Sequence, residues 1–242
     1  MYIIVSSHFK KTLYMDDYYS FNEKVVVITG GTCFIGESVA RYLAGLGAYV
    51  VILGQSLEFG QKVISEIKDE GGEATFFVTD FSNYEALKKN LQDILLEYGR
   101  VDVLINDFRG KVDFFDNFDF NHLFNKIETV NTDMQVPFWI FLSQIIKQKR
   151  GTILNFIYCS YKDSNYTCEC SKLSDFTATL ANQLQQHDLN NIKVNSIDLG
   201  CVNEKEICNE YQTNNMFAPI FSDALMSQNG KILNINNDTI YV

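Results

Sequence analysis

Proline, tryptophan and basic side chains are scarce in this chain. Its 242 residues include two prolines and one tryptophan, and 30 aspartates and glutamates outnumber 20 lysines and arginines. The formal net charge of −10 disfavours a nucleic acid or an anionic membrane as a partner. No apolar run reaches membrane-spanning length, and the short apolar stretch in MYIIVSSHFKK lacks the basic lead-in of a signal peptide.

The six cysteines are unevenly spaced, which is typical of reduced thiols in a cytoplasmic protein. Cys159, Cys168 and Cys170 occur in one stretch, and His187 follows them. Structural zinc sites space paired cysteines more widely than Cys-x-Cys and usually draw on a second pair of ligands. The chain has no such second pair, so we expect no metal site.

The chain does contain a regular alternation of short apolar runs and amphipathic helical stretches. Helices are predicted at 37–46, 57–70 and 84–98, and further helical stretches precede the later strands. Residues 1–23 come before this alternation and are predicted to be an extension, whereas 24–242 are predicted to form one domain. The runs predicted as strands are KVVVITGG, AYVVILG, ATFFVTD, VDVLIND, GTILNFIY, IKVNSIDLG and GKILNINN.

Apolar runs separated by helices are expected where parallel strands are covered on both faces. Right-handed crossovers between such strands produce a doubly wound sheet whose binding crevice lies at the carboxyl ends of the strands. We therefore predict a single-domain α/β protein, a Rossmann-like doubly wound parallel sheet with helices on both faces.

A glycine-rich segment, TGGTCFIG from Thr29 to Gly36, follows the first predicted strand and opens the first helix. This is the context in which a helix N-terminus binds a pyrophosphate. Asp80 and Asn106 end the third and fourth predicted strands, so we expect them at the same edge of the sheet. The segment therefore predicts a dinucleotide site.

These motifs resemble the short-chain dehydrogenase/reductase family over nearly the whole chain. The family motif T-G-x-x-x-G-x-G is matched by Thr29, Gly30 and Gly36, with Phe34 at the middle glycine position. Asp80 matches the aspartate that the family places beside the adenine. The cofactor contacts that the resemblance implies are Thr29, Gly30, Thr32, Phe34, Ile35, Gly36, Gln55, Asp80, Phe81, Asn106 and Lys172.

Three further motifs of the family have counterparts later in the chain, from Asn106 onward. NDFRG stands where the family has N-N-A-G and retains only Asn106. Asn131, in TVNTD, matches the asparagine of the family's active-site tetrad. IKVNSIDLG is similar to I-R-V-N-x-x-x-P-G, with Leu199 in place of proline. The resemblance implies hydride transfer between a nicotinamide cofactor and a small carbonyl or alcohol substrate, in a homodimer or homotetramer.

Within the family, several stretches are similar to the D-mannonate (fructuronate) oxidoreductase branch. They are VVVITGG, ILGQSLE, FFDNFDFNHLF and QKRGTILN. The branch implies a sugar acid or polyol as substrate, and it tolerates an aliphatic residue at the middle glycine position. Phe34 is therefore compatible with an altered cofactor site, although the ring would also fit a helix–sheet interface in a protein that no longer binds nucleotide.

The choice between NAD and NADP depends on the end of the second strand. A carboxylate there binds the ribose 2′-hydroxyl of NAD, whereas an arginine accepts the 2′-phosphate of NADP. This chain has Gly54, Gln55 and Ser56. A neutral ending does not exclude the phosphate, so NADP is slightly favoured over NAD.

The family's catalytic tyrosine and lysine are four residues apart, and the segment YTCECSK does not offer that pair. If Lys172 is the catalytic lysine, Cys168 occupies the tyrosine position. If Tyr166 is the catalytic tyrosine, Cys170 occupies the lysine position. The first register needs fewer extra residues before IKVN and is preferred. Tyr158 and Lys162 have the required spacing, but they would leave too long a helix after them.

The family's catalytic serine is also absent, because NFIYCS places Tyr158 at its position. A lysine beside Cys168 would favour the thiolate, which is a nucleophile and a poor proton donor. Two hypotheses follow for function. The chain is either an NAD(P)-dependent oxidoreductase with reorganised catalytic residues, or a non-catalytic relative that acts through nucleotide binding or oligomeric association.

Overall fold

The structure is a computed structural model that describes residues 20–30, 34–109, 135–159, 166–201, 217–236 and 239–241. Each predicted strand is present. The strands are β1 (Val25–Thr29), β2 (Tyr49–Gly54), β3 (Glu73–Val78), β4 (Val103–Arg109), β5 (Gly151–Cys159), β6 (Ile192–Cys201), β7 (Lys231–Asn236) and β8 (Thr239–Tyr241). The helices are α1 (Phe34–Gly45), α2 (Leu57–Asp69), α3 (Tyr84–Tyr98), α4 (Gln135–Gln148), α5 (Tyr166–Gln186) and α6 (Asp223–Met226).

All eight strands form one sheet in the order β3-β2-β1-β4-β5-β6-β7-β8. Every pair from β3 to β7 is parallel, and β8 pairs antiparallel with β7. The strand order reverses between β1 and β4, which is where doubly wound folds bind their ligands. The predicted fold class is confirmed, and β8 is an addition that the sequence pattern did not indicate.

Two apolar cores cover the two faces of the sheet. One contains the β1 side chains Val25 and Val27 together with the buried faces of α3, α4 and α5. The other contains Val26 and Ile28 together with α1, α2 and residues of 217–226. Side chains alternate between faces along a strand, so the apolar residues of a central strand alternate between the two cores. Both faces are apolar, which explains the nearly continuous apolar runs of the sequence.

Local signals define the ends of several helices. Ser56 caps α2, with its Oγ accepting a hydrogen bond from the Phe59 backbone N–H at 3.3 Å. Asn83 caps α3 in the same way, and α3 ends at Gly99 in the left-handed conformation with φ of 75°. The helix α1 begins at Phe34, three residues before the predicted start.

Phe21 lies in the core although it belongs to the segment predicted as an extension. Its side chain is 1% exposed, and its ring contacts the ring of Phe221 edge-on with centroids 5.5 Å apart. Residues 1–19 lie outside the described part of the chain, so the boundary at residue 23 stays a prediction. No helix among the described residues is long and apolar enough to cross a membrane.

Candidate cofactor and active site

The turn after β1 has a geometry that only glycine accommodates without strain. Gly30 has a φ of 74°, and its N–H donates to the Leu53 carbonyl at 3.2 Å, which ties the turn to β2. A Cβ atom on Gly30 would lie 3.2 Å from Cβ of Asp107 on β4. The chain then enters α1, where Ile35 and Gly36 are both buried. Ile35 therefore packs in the core.

A row of buried polar side chains crosses the three central strands at one level of the sheet. Thr29, Asn106 and Asn155 are neighbours across β1, β4 and β5. Thr29 Oγ1 donates to Asn106 Oδ1 at 3.2 Å, and Asn106 Nδ2 donates to Asn155 Oδ1 at 2.9 Å. Asn106 is 1% exposed, so its side chain fixes the strands beneath the crevice instead of facing a ligand directly.

Asp80 follows β3 at the same edge of the sheet and is exposed. Its Oδ1 accepts hydrogen bonds from Ser82 Oγ at 2.6 Å and from the Ser82 backbone N–H at 3.0 Å. The side-chain bond and then the backbone bond stabilise the charged form and hold the pKa of Asp80 below its usual value. Phe81 is half-buried and packs against the core, so of these two predicted contacts Asp80 is the more exposed.

At the end of β2, Gly54 is buried and Gln55 is exposed. The Ser56 hydroxyl accepts the α2 capping hydrogen bond described above, and Glu58 provides an acidic side chain in the first turn of α2. Glu58 was not predicted as a site residue, because it lies on the helix and not at the end of the strand.

The predicted catalytic positions Tyr158, Cys168 and Lys172 lie on β5 and α5. Tyr158 is 8% exposed and belongs to the core that contains α1 and α2. Lys172 is half-buried on α5, one residue before the buried Leu173. The helix α5 begins at Tyr166, so YTCECSK is helical throughout and Cys168 lies one turn before Lys172. The preferred pair therefore shares a helix, as the catalytic pair of the family requires.

Several predicted site residues fall outside the description. Thr32, Asn131 and Lys162 lie outside the described residues, and so do the side chains of Phe34, Tyr166, Cys168 and Cys170. The choice between the two registers of YTCECSK consequently remains a prediction. No group of three or more metal-ligating side chains occurs within the described ranges.

Two polar positions escaped the sequence analysis. Asn155 continues the buried row into β5, and Asp107 lies against the Gly30 turn. Both interrupt apolar strand sequences close to the carboxyl end, in VDVLIND and GTILNFIY. A polar residue at the same level of neighbouring parallel strands is a usable signal, because such residues must satisfy one another in the core.

A doubly wound sheet with a glycine turn at its switch point defines a dinucleotide-binding type of protein. The family model described as short chain dehydrogenase matches residues 24–215. The chain belongs to the short-chain dehydrogenase family, whose members are NAD(P)-dependent oxidoreductases.

Individual relatives support the same conclusion. The chain is 29% identical over 188 residues to a 1,6-dihydroxycyclohexa-2,4-diene-1-carboxylate dehydrogenase of Acinetobacter baylyi, covering 74% of this chain and 69% of the relative. A 3beta-hydroxysteroid dehydrogenase of Mediterraneibacter gnavus is matched over only 32% of its own length. The oxidoreductase UxuB of Bacillus subtilis is matched over only 31% of its own length.

Two solved structures share the fold. One is a citronellol catabolism dehydrogenase (AtuB) of Pseudomonas aeruginosa PAO1, with a TM-score of 0.66 and 21% identity, covering 89% of this chain and 94% of that one. The other is a metagenomic short-chain oxidoreductase in complex with NADP, with a TM-score of 0.60 and 24% identity, covering 90% and 97%.

Proposed function

We propose that the chain binds a nicotinamide dinucleotide in the crevice between β1 and β4 and acts as an oxidoreductase on a small carbonyl or alcohol. The observation that carries this proposal is the Gly30 turn, with its left-handed φ and its close approach to β4. A turn of this kind brings backbone, instead of side chains, to the position of a pyrophosphate. The family relationship supplies the expected chemistry.

The proposed cofactor contacts combine exposed groups with groups that hold the crevice in shape. Asp80 would face the adenine, and Gln55 would face the adenosine ribose, since both are exposed at the carboxyl edge. Thr29 and Asn106 would act by holding β1 against β4 beneath the crevice, and the hydrogen bond between their side chains supports this role. Gln55 leaves room for the 2′-phosphate of NADP, whereas the nearby carboxylate of Glu58 opposes it. We therefore propose only a slight preference for NADP over NAD.

For the chemical step we propose the register in which Lys172 is the catalytic lysine and Cys168 occupies the tyrosine position. Both lie on α5, and Lys172 is half-buried, which suits a group that holds the nicotinamide ribose. Asn131 would complete the site by analogy with the family. Asn131 and Lys172 do not replace the tyrosine hydroxyl that donates a proton in the family, so we expect slow turnover on ordinary carbonyl substrates.

The substrate class that we propose is a sugar acid or polyol, on the stretches that resemble the D-mannonate oxidoreductase branch. We also propose a homodimer or homotetramer by family analogy, and a cytoplasmic location from the cysteine usage. Light scattering of the purified protein tests the oligomeric state. A panel of sugar acids and polyols, each assayed with NAD and with NADP, tests the substrate class.

A non-catalytic relative is the second candidate, and the position of Tyr158 favours it. The serine position of the family is here an aromatic side chain that packs in the core. A tyrosine carries its hydroxyl at the far end of the ring and so does not place it where the serine Oγ would lie, and the loss of a single oxyanion donor typically lowers a rate on the order of a hundredfold or more. Such a protein would bind nucleotide weakly or not at all and act through association.

Titration with NADH and NADPH, followed by nucleotide fluorescence, tests the proposed cofactor site. Gly36→Leu introduces a side chain at the start of α1 and should abolish binding. Gly45→Leu is the matched control, because Gly45 ends the same helix and a Cβ there would have no atom within 4 Å. Binding that survives in Gly36→Leu, with the fold intact by circular dichroism, would place the cofactor elsewhere.

Reduction of a reactive diketone tests the proposed register. Wild-type protein should show little activity, and Cys168→Tyr should raise it by placing a phenol beside Lys172, whose positive charge lowers the pKa of a neighbouring tyrosine. If wild type is already active and Tyr166→Phe abolishes that activity, the site works through Tyr166 and the proposed register is wrong.

A further inference from the structure

The buried polar row that crosses β1, β4 and β5 has further polar neighbours on β6 and α5. Asn155 of β5 pairs in register with Ser196 of β6, and both residues are 0% exposed. Ile153 and Val194, two residues before them on the same strands, belong to the core that contains residues of α5. Because side chains two residues apart on a strand share a face, Asn155 and Ser196 lie on that face of the sheet as well. Two buried polar side chains are therefore neighbours beneath α5.

Two hydrogen bonds connect Ser196 to the backbone of α5. Thr177 of α5 is 0% exposed, and its Oγ1 donates to the Leu173 carbonyl at 2.7 Å. Thr177 Oγ1 is also hydrogen-bonded to Ser196 Oγ. A hydroxyl carries a single proton, and that of Thr177 is directed to the Leu173 carbonyl. Ser196 therefore donates its own proton to Thr177 Oγ1, which leaves Ser196 Oγ able only to accept from any other partner.

Asn155 faces this acceptor with an unused donor group. Its Oδ1 accepts from Asn106 Nδ2 at 2.9 Å, whereas its Nδ2 is buried and has no hydrogen-bond partner among the described residues. The oxygen and the nitrogen of an amide diverge from one carbon, so Nδ2 is directed away from the bond to Asn106. Buried N–H groups in folded proteins are almost always paired with protein or with ordered water. Ser196 Oγ is the acceptor on the register neighbour, but it does not bond Nδ2 directly.

We infer that a buried water is bound between Asn155 and Ser196. The water accepts a hydrogen bond from Asn155 Nδ2 and donates one to Ser196 Oγ. The two groups require a ligand that accepts on one side and donates on the other, and water is the smallest molecule that does both. A buried position lined by at least two polar partners is where internal waters of globular proteins are bound.

The water completes a chain of hydrogen bonds that all run in one direction across the sheet. Thr29 donates to Asn106, and Asn106 donates to Asn155. The water continues this direction to Ser196, whose proton is directed to α5. Hydrogen bonds aligned in this way polarise one another and strengthen the chain. The water site thus joins β1 to the helix that carries Lys172, and it requires neither a cofactor nor a substrate.

Oxygen-17 relaxation dispersion of the purified protein counts its long-lived internal waters and tests the inference. The variants are Ser196→Ala and Asn155→Leu, which keeps a similar volume without a polar atom. Ser143→Ala is the matched control, because the Ser143 hydroxyl donates to the Ile140 carbonyl of its own helix at 2.8 Å. We expect Asn155→Leu and Ser196→Ala each to lose a single long-lived water that wild type and Ser143→Ala retain. Equal counts in all four proteins overturn the inference, and so does a crystal structure in which Asn155 Nδ2 bonds Ser196 Oγ directly.

A double-mutant cycle measured by urea unfolding tests whether the water joins the two side chains. The cycle combines Asn155→Ala with Ser196→Ala, and Asn155→Leu replaces Asn155→Ala if the alanine variant does not fold. Either single change removes the bridge, so the effect of the double change on the unfolding equilibrium constant should differ about threefold or more from the product of the single effects. The control cycle of Asn155→Ala with Ser143→Ala should be multiplicative. Multiplicative effects in the first cycle overturn the bridge.

Discussion

The two halves of the sheet's carboxyl edge differ in what they require of the sequence. Around β1 and β4 the function of the edge depends on backbone shape, and the chain has the left-handed Gly30 turn and the Thr29–Asn106–Asn155 row that produce this shape. Around β5 and α5 the family's chemistry depends on particular functional groups, and in the proposed register Tyr158 and Cys168 stand where a serine and a tyrosine are expected. Our proposal is therefore that this chain keeps the shape of a cofactor crevice while its groups for proton transfer differ from those of the family.

The largest expected loss of stability concerns Tyr158, whose side chain is buried in the core. Tyr158→Ser removes a buried ring and should lower the free energy of unfolding by about 3 kcal/mol or more. It should not create reductase activity on its own, because the phenol is still missing. Urea unfolding measures the loss, and Tyr158→Phe isolates the share of the hydroxyl. A loss below about 1 kcal/mol would mean that the ring is not a core element.

Asn106 tests whether the two halves are joined by the buried polar row. Asn106→Ala leaves Thr29 Oγ1 and Asn155 Oδ1 without their shared partner and should lower the free energy of unfolding by about 2 to 4 kcal/mol. Asn83→Ala removes an exposed helix cap and should lower it by about 1 kcal/mol. Equal losses in the two variants, measured by urea unfolding, would show that the row contributes little.

Two left-handed glycines separate backbone strain from contact with Asp107. Gly30 and Gly99 have φ values of 74° and 75°, but a Cβ on Gly99 would have no atom within 4 Å. Gly99→Ala should lower the free energy of unfolding by about 1 kcal/mol from strain alone. Gly30→Ala should lower it further and weaken NADH binding. Thermal unfolding and fluorescence titration measure the two quantities, and identical behaviour of the variants would contradict the role assigned to this turn.

The smallest expected effect concerns Asp80. Ser82→Ala removes the side-chain hydrogen bond that contributes most to the lowered pKa of Asp80. The pKa of Asp80 should therefore rise towards its usual value. Because the folded pKa is below the unfolded one, these hydrogen bonds stabilise the protein above about pH 4 and the benefit disappears as pH falls through the folded pKa. The variant should therefore lose less stability on acidification than wild type. A carboxyl titration followed by NMR checks the shift, and an unmoved pKa would refute the assignment.

The sequence predicted the sheet well because its signals are local. Valine and isoleucine runs, the caps Ser56 and Asn83, and Gly99 each act within a few residues, and both caps coincide with observed helix starts. The antiparallel β8 follows β7 after two residues and lacks a long apolar run, so no pattern distinguished it from the preceding strand.

The site was predicted less completely because its contacts join distant segments. Thr29 and Asn155 meet only through Asn106, and Asp107 reaches Gly30 only because β1 and β4 are neighbours in the sheet. Spacing along the chain does not reveal such pairs. Asn106 was predicted at a strand end but lies in the middle of β4, because the strand continues to Arg109, and its near-complete burial depends on the packing of all three strands.

The ring contact between Phe21 and Phe221 also has a consequence for how the protein is made. The two residues are about two hundred positions apart, and Phe221 also stacks on Tyr42 of α1 at 5.8 Å between ring centroids. A ribosome releases Phe21 and α1 long before it reaches their aromatic partner. The core on that side of the sheet is therefore completed late in translation, and until then its exposed rings are a surface that chaperones can recognise.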